Sequence, residues 1–316
     1  MPSEIGLHDL ALDKTPAFCY STLGITYTRW VGIGMPRIHE STLDSTFFLY
    51  PSKLEAMSGS ACGGSGFIVA YPSVLWPTEI TYLYGVTNWH VAVRDGCSVI
   101  RLNTTDGKTD TFEFDPSEWE YDAGGDDLAV TFMQVDESVH QSSAIPIALI
   151  KSQDEFMPNS WAPIGVGDDV FMLGRFTDID SIRRNQPTAR FGNVSAMPVD
   201  LKQATGRTRA SYLVDMHSRT GYSGSPVFVY RTPGTNIAQA LEQGKYDFNK
   251  SLLMLLGVHF GQFDERDREG NVIGMSAMNG VVPATRILEL LECEKFLVMR
   301  KENDAKWSAR FFAEGK

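Results

Sequence analysis

A serine framed by glycines is the strongest chemical signal in this chain. Gly221-Tyr222-Ser223-Gly224-Ser225-Pro226 runs straight into the apolar stretch Val227-Phe228-Val229-Tyr230. Glycines around a serine permit a tight turn whose backbone N–H groups converge on one small space. A carbonyl attacked by the Ser223 hydroxyl would develop negative charge on its oxygen, and two such N–H groups would stabilise it. Loss of one donor of this kind costs about 3–4 kcal/mol of barrier. A serine hydroxyl is a poor nucleophile at neutral pH and needs a base. Thr87-Asn88-Trp89-His90-Val91 supplies a histidine at the end of an apolar strand. The base in turn needs a buried anion to fix its tautomer and stabilise the imidazolium. Asp127-Leu128-Ala129-Val130 places a carboxylate at the head of another apolar strand, with Asp126 as its rival. Taken singly, each has an ordinary alternative: a surface turn, a structural histidine, a turn aspartate.

The elements that must position these groups read as short strands. They lie at residues 46–50, 66–71, 80–87, 97–102, 109–114, 128–134, 170–173, 189–196, 211–216, 226–230, 251–260 and 272–282. These segments are rich in β-branched and aromatic residues and are punctuated by Gly, Pro, Asn and Asp. Almost no helix intervenes, which points to antiparallel barrels or a sandwich rather than an α/β fold. Two helices are expected, at 284–299 and, inside an insertion, at 236–243. In the first, Ile287, Leu290, Leu291, Leu297 and Val298 share one side, which Glu294 interrupts. The acidic run 264–269 reads as an exposed turn, and the stretch 145–169 as a crossing between two halves. The order His–Asp–Ser, each at a strand end with a wide gap before the serine, is what two successive barrels meeting at a cleft require.

Composition narrows the partners. The 316 residues suffice for one large domain or two small ones. The net charge of −11 argues against a nucleic-acid backbone as partner. No run of about twenty apolar residues occurs, so no membrane span is expected, and Met1-Pro2-Ser3-Glu4-Ile5-Gly6 does not have the character of a secretory signal. Cys19, Cys62, Cys97 and Cys293 lie far apart with no CxxC pair, which suits reduced thiols in a cytoplasm better than a disulfide framework or a zinc knuckle. No metal or cofactor is expected.

From about Thr46 to Leu291 the sequence resembles the chymotrypsin-like (trypsin-like) serine peptidases. Gly64-Ser65-Gly66-Phe67-Ile68-Val69 looks like the strand preceding the family's histidine, and Thr87–Val91 like the histidine motif. Residues 127–130 look like the aspartate motif, and Gly221–Pro226 like the nucleophile loop. Residues 167–174 and 190–195 resemble successive strands of the second barrel, and Gly257-Val258-His259-Phe260-Gly261 the strand beside the substrate. The resemblance implies an all-β fold of two antiparallel six-stranded Greek-key barrels with a C-terminal helix. The expected divisions are an extension of unknown role at 1–45, a first barrel at 46–145, a second at 146–283, and a helix and tail at 284–316. It implies a serine endopeptidase acting on protein or peptide substrates, with Ser223 as nucleophile, His90 as base and then acid, and Asp127 as orienting carboxylate. Asp127 is preferred over Asp126 because the family's aspartate directly precedes the Leu-Ala pair. Gly221 and Ser223 would donate the oxyanion-hole N–H groups.

Departures from the family are informative. Tyr222 stands where digestive enzymes carry an aspartate that pairs with a freshly cleaved N-terminus, so that activation is not expected. Val91 replaces the cysteine that would bridge Cys62 in the secreted enzymes. The closer likeness is to bacterial glutamyl endopeptidases and high-temperature-requirement proteases, but no peptide-binding module follows the last barrel strand. His259 resembles the histidine of enzymes that cut after Glu or Gln, with Ser218 as a second donor and Gly261 alongside. His217 occupies the place of the trypsin pocket-floor aspartate, which disfavours Lys or Arg. The alternative, that His259 packs beside the cleft without reading substrate, stands equally. A cytoplasmic protease needs restraint, through narrow specificity, an inhibitor, or assembly of the site by a regulatory partner protein, which is one of the expected options. An esterase on an α/β sheet fails, since its order would be Ser, Asp, His.

Overall fold

β-branched and aromatic runs form thirteen strands among the described residues of the computed structural model, twelve of five to fifteen residues and one of two. Those described are residues 37–151, 164–176, 183–218, 220–230 and 253–313. Apart from Arg37 they belong to one unit, Ile38–Lys316. The expected helix at 236–243 and residues 152–163 of the 145–169 crossing lie outside the described residues, as do residues 1–36 of the expected extension.

The first barrel is a curled antiparallel path in the order β5-β4-β1-β2-β3-β6. It is built from β1 (Thr46–Tyr50), β2 (Gly64–Pro72), β3 (Thr81–Thr87), β4 (Val99–Asn103), β5 (Thr109–Glu113) and β6 (Ala129–Met133). A two-residue strand, β7 (Ile145–Pro146), adds to β2 in parallel. The second barrel closes on itself in the order β10-β13-β12-β11-β8-β9. Its strands are β8 (Asp169–Gly174), β9 (Thr188–Lys202), β10 (Thr208–Asp215), β11 (Pro226–Tyr230), β12 (Leu253–Arg266) and β13 (Val272–Pro283). This is the chymotrypsin-like two-barrel architecture.

Each barrel is filled by its inward residues: Phe47, Leu49, Ile68 and Ile100 in the first, Val170, Met172, Val227, Leu256 and Val281 in the second. A third cluster joins the two. Phe171, Leu173, Phe228 and Leu255 pack with Tyr84, Val86 and Val130, and with Ile287, Leu291 and Phe296 of the C-terminal helices. Each such side chain contributes roughly 1.5–3 kcal/mol by leaving water, so the seam between the barrels is an apolar weld.

Strand positions match the sequence expectation closely, with two informative differences. The acidic run 264–269 is not all turn. β12 continues to Arg266 and pairs with β13 as far as Val272, because the turn is made further on, where Asn271 Nδ2 and the Glu269 and Asn271 backbone N–H groups donate to the Asp267 carboxylate. The single helix expected at 284–299 is two, Thr285–Leu291 and Glu294–Ala313. Arg300 donates to the last carbonyl of the first, Leu291 O, at 2.8 Å. Glu294 opens the second, where a carboxylate suits the helix N-terminus; its interruption of the apolar stripe marks that break. The long helix is anchored on the first barrel by a buried Asp304, which accepts hydrogen bonds from Ser73 Oγ at 2.8 Å and from Tyr82 OH.

Candidate active site

His90 stands where β3 ends and one turn of π-helix, His90–Arg94, begins. Such turns occur frequently at functional sites. Its position is dictated by Asp127, which is wholly buried. The Asp127 carboxylate accepts the His90 backbone N–H through Oδ1 at 2.9 Å and faces His90 Nδ1 through Oδ2 at 2.6 Å. A carboxylate on Nδ1 fixes the proton there and leaves Nε2 as the basic nitrogen. The His90 side chain is 12% exposed, so the ring edge reaches the cleft. Asn88 donates from Nδ2 to Asp127 O at 2.8 Å and holds the aspartate's backbone as well.

Asp126 is engaged elsewhere. Its carboxylate faces Arg286 Nε at 3.4 Å and accepts from Gln203 Nε2 at 3.0 Å. Of the two adjacent aspartates, Asp127 faces His90 and Asp126 faces Arg286 and Gln203.

Ser223 lies on the opposite barrel, in the turn that leads into β11. Gly221 and Gly224 have φ of 99° and 84°, in the left-handed region that glycine adopts without strain. A Cβ on Gly224 would lie 2.0 Å from Ser65 O, so that position also admits no side chain. The loop is fastened to the first barrel by Ser65: its N–H donates to Ser223 O at 2.8 Å and its hydroxyl to Gly221 O at 2.7 Å. A Cβ on Gly64 would sit 2.9 Å from both Ser223 O and the Val91 methyls. The Ser223 backbone and the residue beside His90 therefore flank the same glycine. Among the described residues, no acceptor takes the N–H of Gly221 or of Ser223, and the Ser223 hydroxyl makes no hydrogen bond, to His90 or otherwise. Catalytic contacts of this kind are commonly long in unliganded enzymes and tighten around substrate.

Tyr222, expected to break the family's activation salt bridge, is fully buried. Its hydroxyl meets Thr188 Oγ1 and receives Arg190 Nε at 3.3 Å. The aromatic ring packs in the core of the second barrel and seats the loop, with the Arg190 guanidinium as its charged neighbour.

His259 is 2% exposed. Nδ1 faces Tyr222 O at 3.0 Å and Nε2 faces Asn279 Oδ1 at 3.0 Å, with Ser218 Oγ at 3.5 Å. The Asn279 amide is oriented by its own donations to Met216 O and Ala277 O, so an oxygen does face Nε2. Burial pushes the His259 pKa below 6.5, the hydrogen bonds that the ring donates to Asn279 Oδ1 and Tyr222 O oppose this, and nearby His90 adds to it. A neutral ring carries one N–H for two waiting oxygens. Of the other substrate-binding candidates, Ser218 is buried beside His259, Gly261 follows on β12, and His217 is exposed and bonds to no described residue.

Two residues of the site gave no functional signal in the sequence. Gln203, at the tip of the β9–β10 hairpin, accepts the Asp127 backbone N–H at 2.6 Å. Asn279, on β13, completes the pocket around His259. Both belong to segments far along the chain from what they hold. No described group of His, Cys, Asp and Glu is arranged to hold a metal, and no described helix is long and apolar enough to cross a membrane.

No family model matches the chain, and no curated protein does. Among solved structures it is similar to the MamO protease domain of Magnetospirillum magneticum, at TM-score 0.47 and 17% identity over 81% of this chain and 100% of that one. It is similar to Deg5 at TM-score 0.44 and 17% identity, covering 79% and 88%. It is also similar to the Rv3671c protease in an inactive form, at 0.40 and 17%, covering 80% and 89%.

Proposed function

We propose that the protein is a serine endopeptidase working through an acyl-enzyme, with Ser223 as nucleophile, His90 as general base and then acid, and Asp127 as the orienting carboxylate. The observation that carries this reading is the buried Asp127 carboxylate gripping both the backbone N–H and Nδ1 of His90, with the backbone of the glycine-framed Ser223 and the Val91 beside His90 flanking the same Gly64. Ser223 Oγ would pass its proton to His90 Nε2 as it attacks the scissile carbonyl. The free N–H groups of Gly221 and Ser223 would receive the oxyanion. His90 would then return the proton to the leaving amine, and water would repeat the sequence to release the acid. Labelling with a fluorescent fluorophosphonate, compared with Ser223→Ala and His90→Ala, tests this. Loss of labelling in both variants is expected. A folded wild type that takes no label would instead favour a binding or scaffolding role for the fold.

We propose further that the protein cleaves after Glu or Gln, read by Ser218 and His259. Both nitrogens of His259 already face protein oxygens, so a substrate carboxylate or carboxamide would replace Asn279 Oδ1 as the acceptor of Nε2. A carboxylate would also stabilise the doubly protonated ring, which satisfies both oxygens. A peptide-library profile led by basic or large apolar residues before the scissile bond would overturn this preference. Substrate would draw the Ser223 hydroxyl onto His90; restraint by narrow specificity or by a partner protein would make cleavage of casein slow.

A further inference from the structure

Behind Asp127 lies a chain of polar contacts that ends on the C-terminal helices. Gln203 Oε1 accepts the Asp127 backbone N–H at 2.6 Å, while Nε2 donates to Asp126 Oδ1 at 3.0 Å and to Ser211 Oγ at 3.1 Å. The Ser211 hydroxyl gives its own proton to Arg209 O, so towards Gln203 it can only accept. Both acceptors therefore demand the NH2 of the amide, and the orientation that presents Oε1 to Asp127 is the one they allow. Asp126 is the stronger of the two, because its carboxylate is charged. It is 7% exposed and, among the described residues, faces one cation: Arg286 of the helix Thr285–Leu291, whose Nε lies 3.4 Å from Oδ2. A buried carboxylate deprived of its partner is strongly destabilised. The far end of the same guanidinium is held by Glu289, with Nη1 at 2.7 and 2.9 Å from its two oxygens. A second ion pair ties the C-terminal helices to the first barrel outside this chain of contacts. Lys295 Nζ lies 3.1 Å from Glu120 Oε2, and the Glu120 carboxylate has no onward bond to Gln203 or Asp127.

We propose that Arg286 is a positioning residue for catalysis, acting through Asp126 and Gln203 on Asp127 and so on the His90 ring. The proposal rests on the endopeptidase reading above and makes the first C-terminal helix a component of that site rather than a clasp across the barrels. Without Arg286, the Asp126 carboxylate draws harder on Gln203 Nε2 or turns towards water. Either movement shifts the amide, and with it the backbone of the residue whose carboxylate holds His90 at 2.9 and 2.6 Å. A displaced base slows proton transfer and leaves the pocket around His259 as it was.

The test follows fluorophosphonate labelling of the full chain against reagent concentration, which separates the maximal rate from the half-saturating concentration. Arg286→Ala is expected to lower the maximal rate about tenfold and to leave the half-saturating concentration unchanged. Arg286→Lys, which returns a cation to the single contact with Asp126, should recover most of the rate. Lys295→Ala removes the other ion pair and should label as the wild type does. The low-field proton NMR signal of His90 Nδ1–H reads the contact with Asp127 without any reaction, and should move or broaden in Arg286→Ala but not in Lys295→Ala. Urea unfolding establishes that each variant is folded; should Arg286→Ala not fold, Arg286→Gln, which keeps the stem and loses the charge, takes its place. An unchanged maximal rate and NMR signal in the folded uncharged variant would overturn the proposal. Equal slowing by Lys295→Ala would overturn it too, because any fastening of the helices would then suffice. A wild type that takes no label, but whose NMR signal answers to the loss of Arg286, would retain the coupling and reject the protease. A labelled wild type indifferent to Arg286 would do the reverse.

Discussion

Removing the Gln203 side chain should disable catalysis more than binding, and the size of the effect follows from what the amide holds. Gln203 is 3% exposed and comes from the second barrel, yet its Oε1 accepts the backbone N–H of Asp127 at 2.6 Å. Its Nε2 donates to Asp126 Oδ1 at 3.0 Å and to Ser211 Oγ at 3.1 Å. Gln203→Ala leaves the Asp127 N–H buried without an acceptor and takes one donor from a carboxylate. An orphaned buried group costs about 1–3 kcal/mol, so a total loss of about 2–4 kcal/mol in unfolding free energy is expected. Asp126 keeps Arg286, which limits the loss. Asp127, freed at its backbone, would hold His90 less firmly, and misplacing a base by a fraction of an ångström lowers kcat by about ten- to a hundredfold. KM should change little, since Gln203 touches no candidate pocket residue. Gln203→Glu retains an acceptor for Asp127 but sets a carboxylate against Asp126, and should also be impaired. The assay is urea unfolding alongside kcat, KM and the pH dependence of kcat/KM. A variant that loses stability while keeping kcat and the pH profile of the wild type would show that Gln203 is a structural strut and refute the positioning argument.

Three further outcomes follow from the same contacts. Gly64→Ala inserts a methyl 2.9 Å from Ser223 O and the Val91 methyls; it should cost about 1–3 kcal/mol of stability and slow fluorophosphonate labelling while leaving the circular dichroism spectrum unchanged. Asp304→Ala leaves the Ser73 hydroxyl without its acceptor and Tyr82 with Arg300 O alone, and should lower the urea midpoint and expose the helix to limited proteolysis, at a cost of about 1–3 kcal/mol. His259 has a folded pKa below its ordinary 6.5, so the unfolded chain binds the proton first as pH falls. The stability that its neutral form contributes is present above about pH 6.5 and is lost as pH drops through the folded pKa. His259→Gln should flatten that part of the thermal-midpoint curve, and an unchanged slope between pH 7 and pH 5 would contradict the assignment.

Local pattern carried much of this protein. Thr46–Tyr50 and Pro226–Tyr230 were legible as strands to the residue, because β-branched and aromatic runs bounded by turn formers need no distant information. The glycines around Ser223 announced a turn for the same reason: their backbone conformations are a property of the residue itself. The reading went astray where tertiary pairing overrides composition. Charged residues 264–266 look like a turn, but β13 supplies a ladder to extend them. Residues 284–299 look like one helix, but Arg300 folds back to cap Leu291 and splits it in two.

What the sequence could not contain is the set of meetings across the fold. Which of two adjacent aspartates faces His90 depends on a strand and a turn brought together from 37 positions apart. That Gln203 steadies Asp127 from 76 residues away, and that Ser65 ties down the nucleophile loop from 156, depends on two barrels docking along an apolar seam. Residue type and local spacing determine which chemistry is available and which segments become strands. The closure of the barrels alone decides which polar groups are left facing one another in the cleft, because only there does burial force each to find a partner.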